Sequence, residues 1–248
     1  MLAIIGGTGM TQLACLKISH RQIIRTPYGE PSGPLTFGSI NDNKVVFLAR
    51  HGYGQTIPPH EVNYRANLWA LHSLDLTRVI AVAAVGGIRP DLTPGVVVVP
   101  DQIIDYTHGR HYTYHEGTDR PVTHIDFTEP YCHLTRNHLL SAAQHANEHV
   151  IDGGVYGATQ GPRLETAAEI NRMERDGVDM VGMTGMPEAS LAKELGLCYA
   201  AIAVVANYAA GRKTSAHAIR LEDAHAVLER AMGGVRNILE RMVEFDGD

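Results

Sequence analysis

The chain has 248 residues, enough for one domain with a sizeable core or two very small ones. Its apolar fraction of 44% and charged fraction of 19% are ordinary for a soluble globular protein. A formal charge of −6 excludes non-specific nucleic-acid binding, which needs a basic face, but leaves room for a local basic pocket around one small anion.

The opening run, residues 1–6, is too short for a signal peptide and lacks a basic leader. No stretch approaches the length of a membrane span, so no membrane partner and a cytoplasmic location are expected. Cys15, Cys132 and Cys198 are far apart, odd in number and without a CxxC pair. That pattern predicts reduced structural thiols rather than a zinc ribbon or a disulfide framework. Among the 14 histidines, His108, His111 and His115, or His145 and His149, stand at ligand-like spacings. No HExxH occurs and acidic partners are few, so solvated loop and helix-face histidines are expected and no metal site.

Short apolar runs alternate with amphipathic stretches along the whole chain. Residues 2–5 read as a strand that breaks at Gly6-Gly7-Thr8-Gly9, and residues 45–49 as a second strand. Residues 63–74 read as a helix with Leu68, Leu71 and Leu74 on one side. Residues 78–85 are nearly all apolar and β-branched, as a strand buried on both faces would be. Residues 96–104 follow as another apolar strand, and residues 106–127, rich in Tyr, His, Thr and Gly, as a long loop. A loop of that length is usually functional or covers a neighbour. Further along, helices are predicted over 134–147, 165–175, 187–195 and 221–243, and strands over 154–159, 178–183 and 199–206. The alternation predicts an α/β protein, one domain over 1–248 with a central mixed sheet flanked by helices. In such folds ligands bind beyond the carboxyl ends of strands.

Chemistry-bearing residues cluster at those ends. The glycines of Gly6-Gly7-Thr8-Gly9 would let backbone N–H groups approach an anion, and Thr8 adds a hydroxyl. The Rossmann pattern lacks its third glycine and the P-loop pattern its Gly-Lys, so neither a dinucleotide nor an ATP site is supported. Arg50 and His51 close the second strand, where an arginine can hold a phosphate through two parallel hydrogen bonds; a surface arginine and a structural histidine are the bland alternative. Thr184 could donate to an anion near a helix N-terminus, and Met183 could pack on a sugar or simply fill core. Glu165 reads equally as a first-turn carboxylate, and Asn207 as a turn residue or cap.

Taken in order, Ile5-Gly6-Gly7-Thr8-Gly9, Arg50-His51-Gly52, Val62-Asn63-Tyr64-Arg65-Ala66-Asn67, Gly161-Pro162-Arg163, Met183-Thr184 and Pro187-Glu188 resemble the trimeric purine nucleoside phosphorylases and methylthioadenosine phosphorylases. The matches span nearly the whole chain, and within the family they resemble the branch that acts on 6-oxopurines and 5′-methylthioinosine. The resemblance implies a nucleoside phosphorylase-like fold and phosphate binding by Thr8, Arg50, His51 and Thr184, with a backbone N–H from Ala84. Ala83 stands where many relatives carry Thr or Asn, so a side-chain donor is missing there. Met183 would lie against the ribose, and Leu164 would touch the base where an aromatic residue often stacks.

Methylthioadenosine phosphorylases carry Asp where this chain has Asn207 and again where it has Ala209. Both carboxylates are gone, and Leu164-Glu165-Thr166 resembles the Phe-Glu-Thr of 6-oxopurine enzymes. The physical reason is a donor–acceptor match. Hypoxanthine N1–H donates, and a carboxylate only accepts; adenine N1 would face Glu165 with lone pairs. Asn207 can donate to N7 or O6. Glu165 and Asn207 are therefore the expected catalytic and base-reading pair. Leu221 aligns with an apolar residue of methylthio-specific enzymes, with His225 one turn on. His124 resembles a residue that reaches a neighbour's 5′ pocket, implying a homotrimer, or a dimer of trimers.

The function implied is phosphorolysis of purine nucleosides without metal or organic cofactor, inorganic phosphate being the co-substrate. Three other readings stay open: a methylthioadenosine phosphorylase that tolerates Asn207, a non-catalytic purine- or phosphate-binding protein, and a nicotinamide-dependent oxidoreductase suggested only by the opening glycines.

Overall fold

A computed structural model describes residues 1–118 and 121–247, and the side chains of 246 and 247 lie outside the description. Its centre is an 11-stranded mixed sheet. The first path runs β2 (Lys17–Gln22), β3 (Leu35–Ile40), β4 (Asn43–Ala49), β1 (Leu2–Gly6), β5 (Arg78–Gly87), β10 (Met180–Gly182), β9 (Val155–Ala158) and β7 (Gln102–Asp105). A branch leaves β5 through β11 (Cys198–Tyr208) to β6 (Val97–Val99) and β8 (Val150–Asp152).

Side-chain alternation divides the core into two layers. On β5, Val79, Ala81, Ala83 and Val85 join one cluster, while Ile80 and Val82 join the other. The same switch occurs on β1 and β11. Helices α1 (Tyr64–His72) and α4 (Gly185–Glu194) pack on the first face; α2 (His133–His145) and α5 (Leu221–Met242) pack on the second. Helix α3 (Ala167–Arg175) closes a third, smaller cluster with Ile170 and Met173. Strand β5 is thus buried on both faces, which is why its sequence is apolar without alternation.

Several boundaries differ from expectation. The run 96–104 is two strands, because Pro100 lacks an N–H and interrupts the ladder, after which the chain pairs with β9. Strands β2 and β3 were not predicted; β2 is fully exposed and carries no apolar pattern. Strand β8, three residues long, was also missed. Helix α3 begins two residues later than predicted, since Thr166 caps it and forms a reciprocal capping box with Glu169. Glu165 therefore stands in the loop before the helix rather than in its first turn. Strand β11 continues through Asn207, with a register shift between Val205 and Asn207, so Asn207 is neither a turn residue nor a cap.

The thiol expectation is also corrected. Cys132 and Cys198 form a disulfide, with Cα atoms 5.1 Å apart, and Cys15 alone is free. Cys132 caps α2 and its N–H donates to the Tyr199 carbonyl at 2.7 Å, so the start of that helix lies against the start of β11. Pairing across 66 residues is a product of topology that spacing does not reveal. Among the described residues, no helix is long and apolar enough to cross a membrane, and no cluster of three His, Cys, Asp or Glu could hold a metal.

Candidate active site

Strand β5 has three neighbours, and their arrangement makes an opening. Its first half pairs with β1, the last partners being Ile5 and Ala81. Its end pairs with β10, beginning at Gly86 and Val181. Between these partners one edge of residues 82–85 has no strand beside it. Val82 turns its carbonyl to that edge, where Arg50 Nη1 donates to it at 2.9 Å. The N–H and C=O of a strand residue share an edge and alternate along the strand. The Ala84 N–H, two residues on, therefore faces the same opening, whereas Ala83 turns its backbone toward β11.

A cavity of about 440 Å³ fills this gap. It is lined by Thr8, Arg50, His51, Ala83, Ala84, Thr184, Met183, Leu164, Glu165, Asn207, Ala209, Leu221 and His225. Seven chain segments thus bring the candidate residues to one cavity, with one exception. His124 is exposed in the long loop and does not line the cavity of its own chain.

At the polar end, Arg50 is 1% exposed. Its Nε and Nη2 donate to Glu188 Oε2 and Oε1 at 2.7 and 2.8 Å, and Tyr199 Oη donates to Oε1 at 2.8 Å. The expected two-bond fork toward an anion is therefore committed to Glu188. Of the five guanidinium N–H groups, these three bonds leave one on Nη1 and one on Nη2 for a ligand. Burial opposes the charge on Arg50, but the Glu188 carboxylate more than offsets this and raises its pKa above the ordinary arginine range. Gly7 allows this packing: a Cβ there would lie 2.5 Å from the Val82 carbonyl oxygen and 2.8 Å from Arg50 Nη1.

His51 donates from Nδ1 to the Ile57 carbonyl at 2.8 Å, which fixes Nε2 as its free nitrogen. Burial, and then the Arg50 cation, push its pKa below the ordinary histidine value of 6.5. The ring is thus neutral near pH 7, and Nε2 accepts rather than donates. Thr184 is the residue before α4; it lines the cavity, and its side chain makes no capping bond to the helix. Met186 has φ −120° and ψ 141°, so regular helix starts at Pro187 and the helix dipole is set back from Thr184.

At the other end, Thr159 Oγ1 donates to Glu165 Oε1 at 2.6 Å. That bond orients the carboxylate and leaves Oε2 able to accept. Asn207 gives one Nδ2–H to the Tyr208 carbonyl at 2.7 Å, keeping its second N–H and its Oδ1. Ala209 is buried, and Leu221 and His225 project from the first turns of α5, both exposed. Leu164 is 40% exposed.

A family model described as the phosphorylase superfamily matches residues 1–244. The chain belongs to that superfamily. It is 54% identical over 210 residues to a probable S-methyl-5′-thioinosine phosphorylase of Xanthomonas campestris pv. campestris, covering 85% of this chain and 84% of the relative. It is 47% identical over 215 residues to a 6-oxopurine nucleoside phosphorylase of Pyrococcus furiosus, covering 85% and 80%. The fold superposes on methylthioadenosine phosphorylase from Schistosoma mansoni, in complex with adenine, with a TM-score of 0.94, 34% identity and coverage of 99% and 91%. The nucleoside phosphorylase-like α/β architecture expected from the motifs is the one observed.

Several residues that build this candidate site carry little signal of that in the sequence. Glu188 holds Arg50 and Tyr199 donates to Glu188, yet neither is a candidate site residue by sequence; the Pro187-Glu188 motif is the available signal for the first. Thr159, at the carboxyl end of β9, belongs to a run whose pattern predicts only a strand. Gln55 and residues 56–59 line the cavity from a loop that has no motif.

Proposed function

We propose that this phosphorylase cleaves 6-oxopurine nucleosides with phosphate, preferring 5′-methylthioinosine and taking inosine and guanosine as secondary substrates. The products are the free base and (5-methylthio)ribose 1-phosphate. The reading is carried by one observation: Glu165, oriented by Thr159, shares a cavity wall with Asn207 and Ala209, where the adenine-directed pattern has two carboxylates. The names of the relatives from Xanthomonas and Pyrococcus support it.

Phosphate would sit among the Thr8 and Thr184 hydroxyls, the two remaining Arg50 N–H groups and the Ala84 N–H. Neutral His51 would accept the O–H of hydrogen phosphate at Nε2. Held in line, a phosphate oxygen attacks C1′ while the bond from C1′ to N9 breaks and its electron pair passes to the purine; the proton that hydrogen phosphate gives up on forming the ester ends, through solvent, on the purine, which leaves as the neutral base. The sugar is oxocarbenium-like at the transition state, as in glycoside cleavage. Asn207 donates to N7 as negative charge builds there, a bond that strengthens only in the transition state. Glu165 Oε2 accepts N1–H. Met183 backs the ribose, and Leu221, with His225 at the rim, receives the 5′ group.

No metal or organic cofactor takes part in this scheme. We further propose a homotrimer in which the exposed His124 completes a neighbour's 5′ pocket, one phosphorylase domain over the whole chain, and action in the cytoplasm. The test incubates the protein with 5′-methylthioinosine, inosine, 5′-methylthioadenosine and adenosine, each with and without phosphate. Phosphate-dependent hypoxanthine release with little adenine is expected. Comparable adenine release overturns the base assignment and favours a methylthioadenosine phosphorylase. No release from any substrate favours a binding protein.

A further inference from the structure

We infer that Arg110, in the long loop and outside the cavity, is a positioning residue that locks the base-reading loop to the phosphate-binding loop. The inference rests on the assignment of Glu165 and Thr184 to those two roles. Arg110 is 9% exposed, and no ion pair among the described residues includes it. Its charge is met instead by backbone carbonyls from two segments. Nη2 donates to the Thr159 and Gln160 carbonyls at 3.2 and 2.8 Å, and Nε to Gln160 Oε1 at 3.2 Å. Nη1 donates to the Met183 and Met186 carbonyls at 2.9 and 2.6 Å. The guanidinium also lies over the Tyr64 ring, 5.5 Å from its centroid.

Each segment carries a residue of the site. Thr159 orients Glu165 through its hydroxyl. The Met183 and Met186 carbonyls bracket Thr184. One planar cation therefore sets the spacing between the group that reads the base and a group that holds phosphate. A buried cation facing only neutral acceptors is costly unless its N–H groups are satisfied, and the fan of carbonyls does this. Lysine cannot replace it: its three donors leave one nitrogen, whereas the carbonyls lie on both branches of the fork.

Arg110→Lys is the test, with Arg110→Ala beside it. Displacing a reacting group by about 1 Å costs on the order of 10²-fold in rate. Arg110→Lys is expected to lose kcat on that scale in the fraction that remains folded by circular dichroism. The ratio of kcat/KM between 6-oxo and 6-amino nucleosides is expected to move toward unity, whichever base the wild type prefers. Millimolar guanidinium is expected to restore part of the activity of Arg110→Ala. Wild-type kcat and base ratio in Arg110→Lys would overturn the inference. So would a loss that merely tracks the unfolded fraction. A wild type that prefers adenine would sink the base assignment and leave this test intact.

Discussion

Glu188→Gln exposes how much of this fold is invested in one side chain of the site. Glu188 is fully buried and accepts three hydrogen bonds, two from Arg50 and one from Tyr199. Glutamine keeps the volume, but it is neutral and turns an NH₂ toward one branch of the Arg50 fork. A buried guanidinium is left with no counter-charge at 1% exposure. Removing one partner of such a pair costs about 3–5 kcal/mol, mostly the penalty of the stranded charge. In a domain of this length each kcal/mol moves Tm by about 2–4 °C, so a fall of roughly 6–20 °C follows. Arg50 is then held less firmly for phosphate, so phosphate binds the variant more weakly and, at one fixed concentration, adds less stability to it than to the wild type. The assay is thermal unfolding without phosphate and at that fixed concentration, alongside the KM for phosphate, which rises. A fall of less than about 2 °C, with unchanged phosphate KM, would refute the view that Glu188 holds Arg50 in place.

Other consequences follow from the same geometry. Glu165→Gln can both donate and accept, so discrimination between 6-oxo and 6-amino nucleosides is expected to fall by on the order of 10²-fold or more; unchanged selectivity would remove Glu165 from base reading. Because the folded-state pKa of His51 lies below 6.5, the unfolded chain takes up this proton first as pH falls. The His51 contribution to stability is therefore complete above about pH 6.5 and declines below it, toward the folded-state value. Urea midpoints across that window should decline less steeply in His51→Gln; equal slopes would contradict the assignment. Leu221→His should shift preference from methylthio toward hydroxyl 5′ groups by roughly 1–3 kcal/mol, read as the kcat/KM ratio of methylthioinosine to inosine. Burial, and then Glu240, raise the Cys15 thiol to about 11, so iodoacetamide should label native protein slowly at neutral pH and faster as pH rises; rapid labelling of Cys15 at pH 7 would disagree.

The cavity was legible because its parts sit where strands end. Thr8, Arg50, Thr184 and Asn207 each follow or finish an apolar run, and the fold brings such ends together, whereas Glu165 stands in the loop before α3. The core strands were equally readable, since β5 and β11 are buried on both faces and admit little but small or β-branched residues. What stayed hidden depends on distant partners. Nothing near Arg50 in the chain announces that its fork belongs to Glu188, 138 residues away. Arg110 lies in a stretch without period or motif, and its role emerges only when four carbonyls converge on it. Strands β2 and β3 form a ribbon whose outer member is wholly exposed, so no hydrophobic pattern marks it. The disulfide joins a helix start to a strand start that only the folded sheet makes neighbours.

Phosphorolysis of a 6-oxopurine nucleoside is the central claim, and product analysis tests it most directly. The purified protein would be incubated with 5′-methylthioinosine and phosphate, with hypoxanthine followed by absorbance and the sugar product by phosphorus NMR. The account predicts hypoxanthine and a ribose 1-phosphate ester in equal amounts, with neither formed when phosphate is withheld. Hypoxanthine appearing without a sugar phosphate, or at the same rate without phosphate, would contradict it.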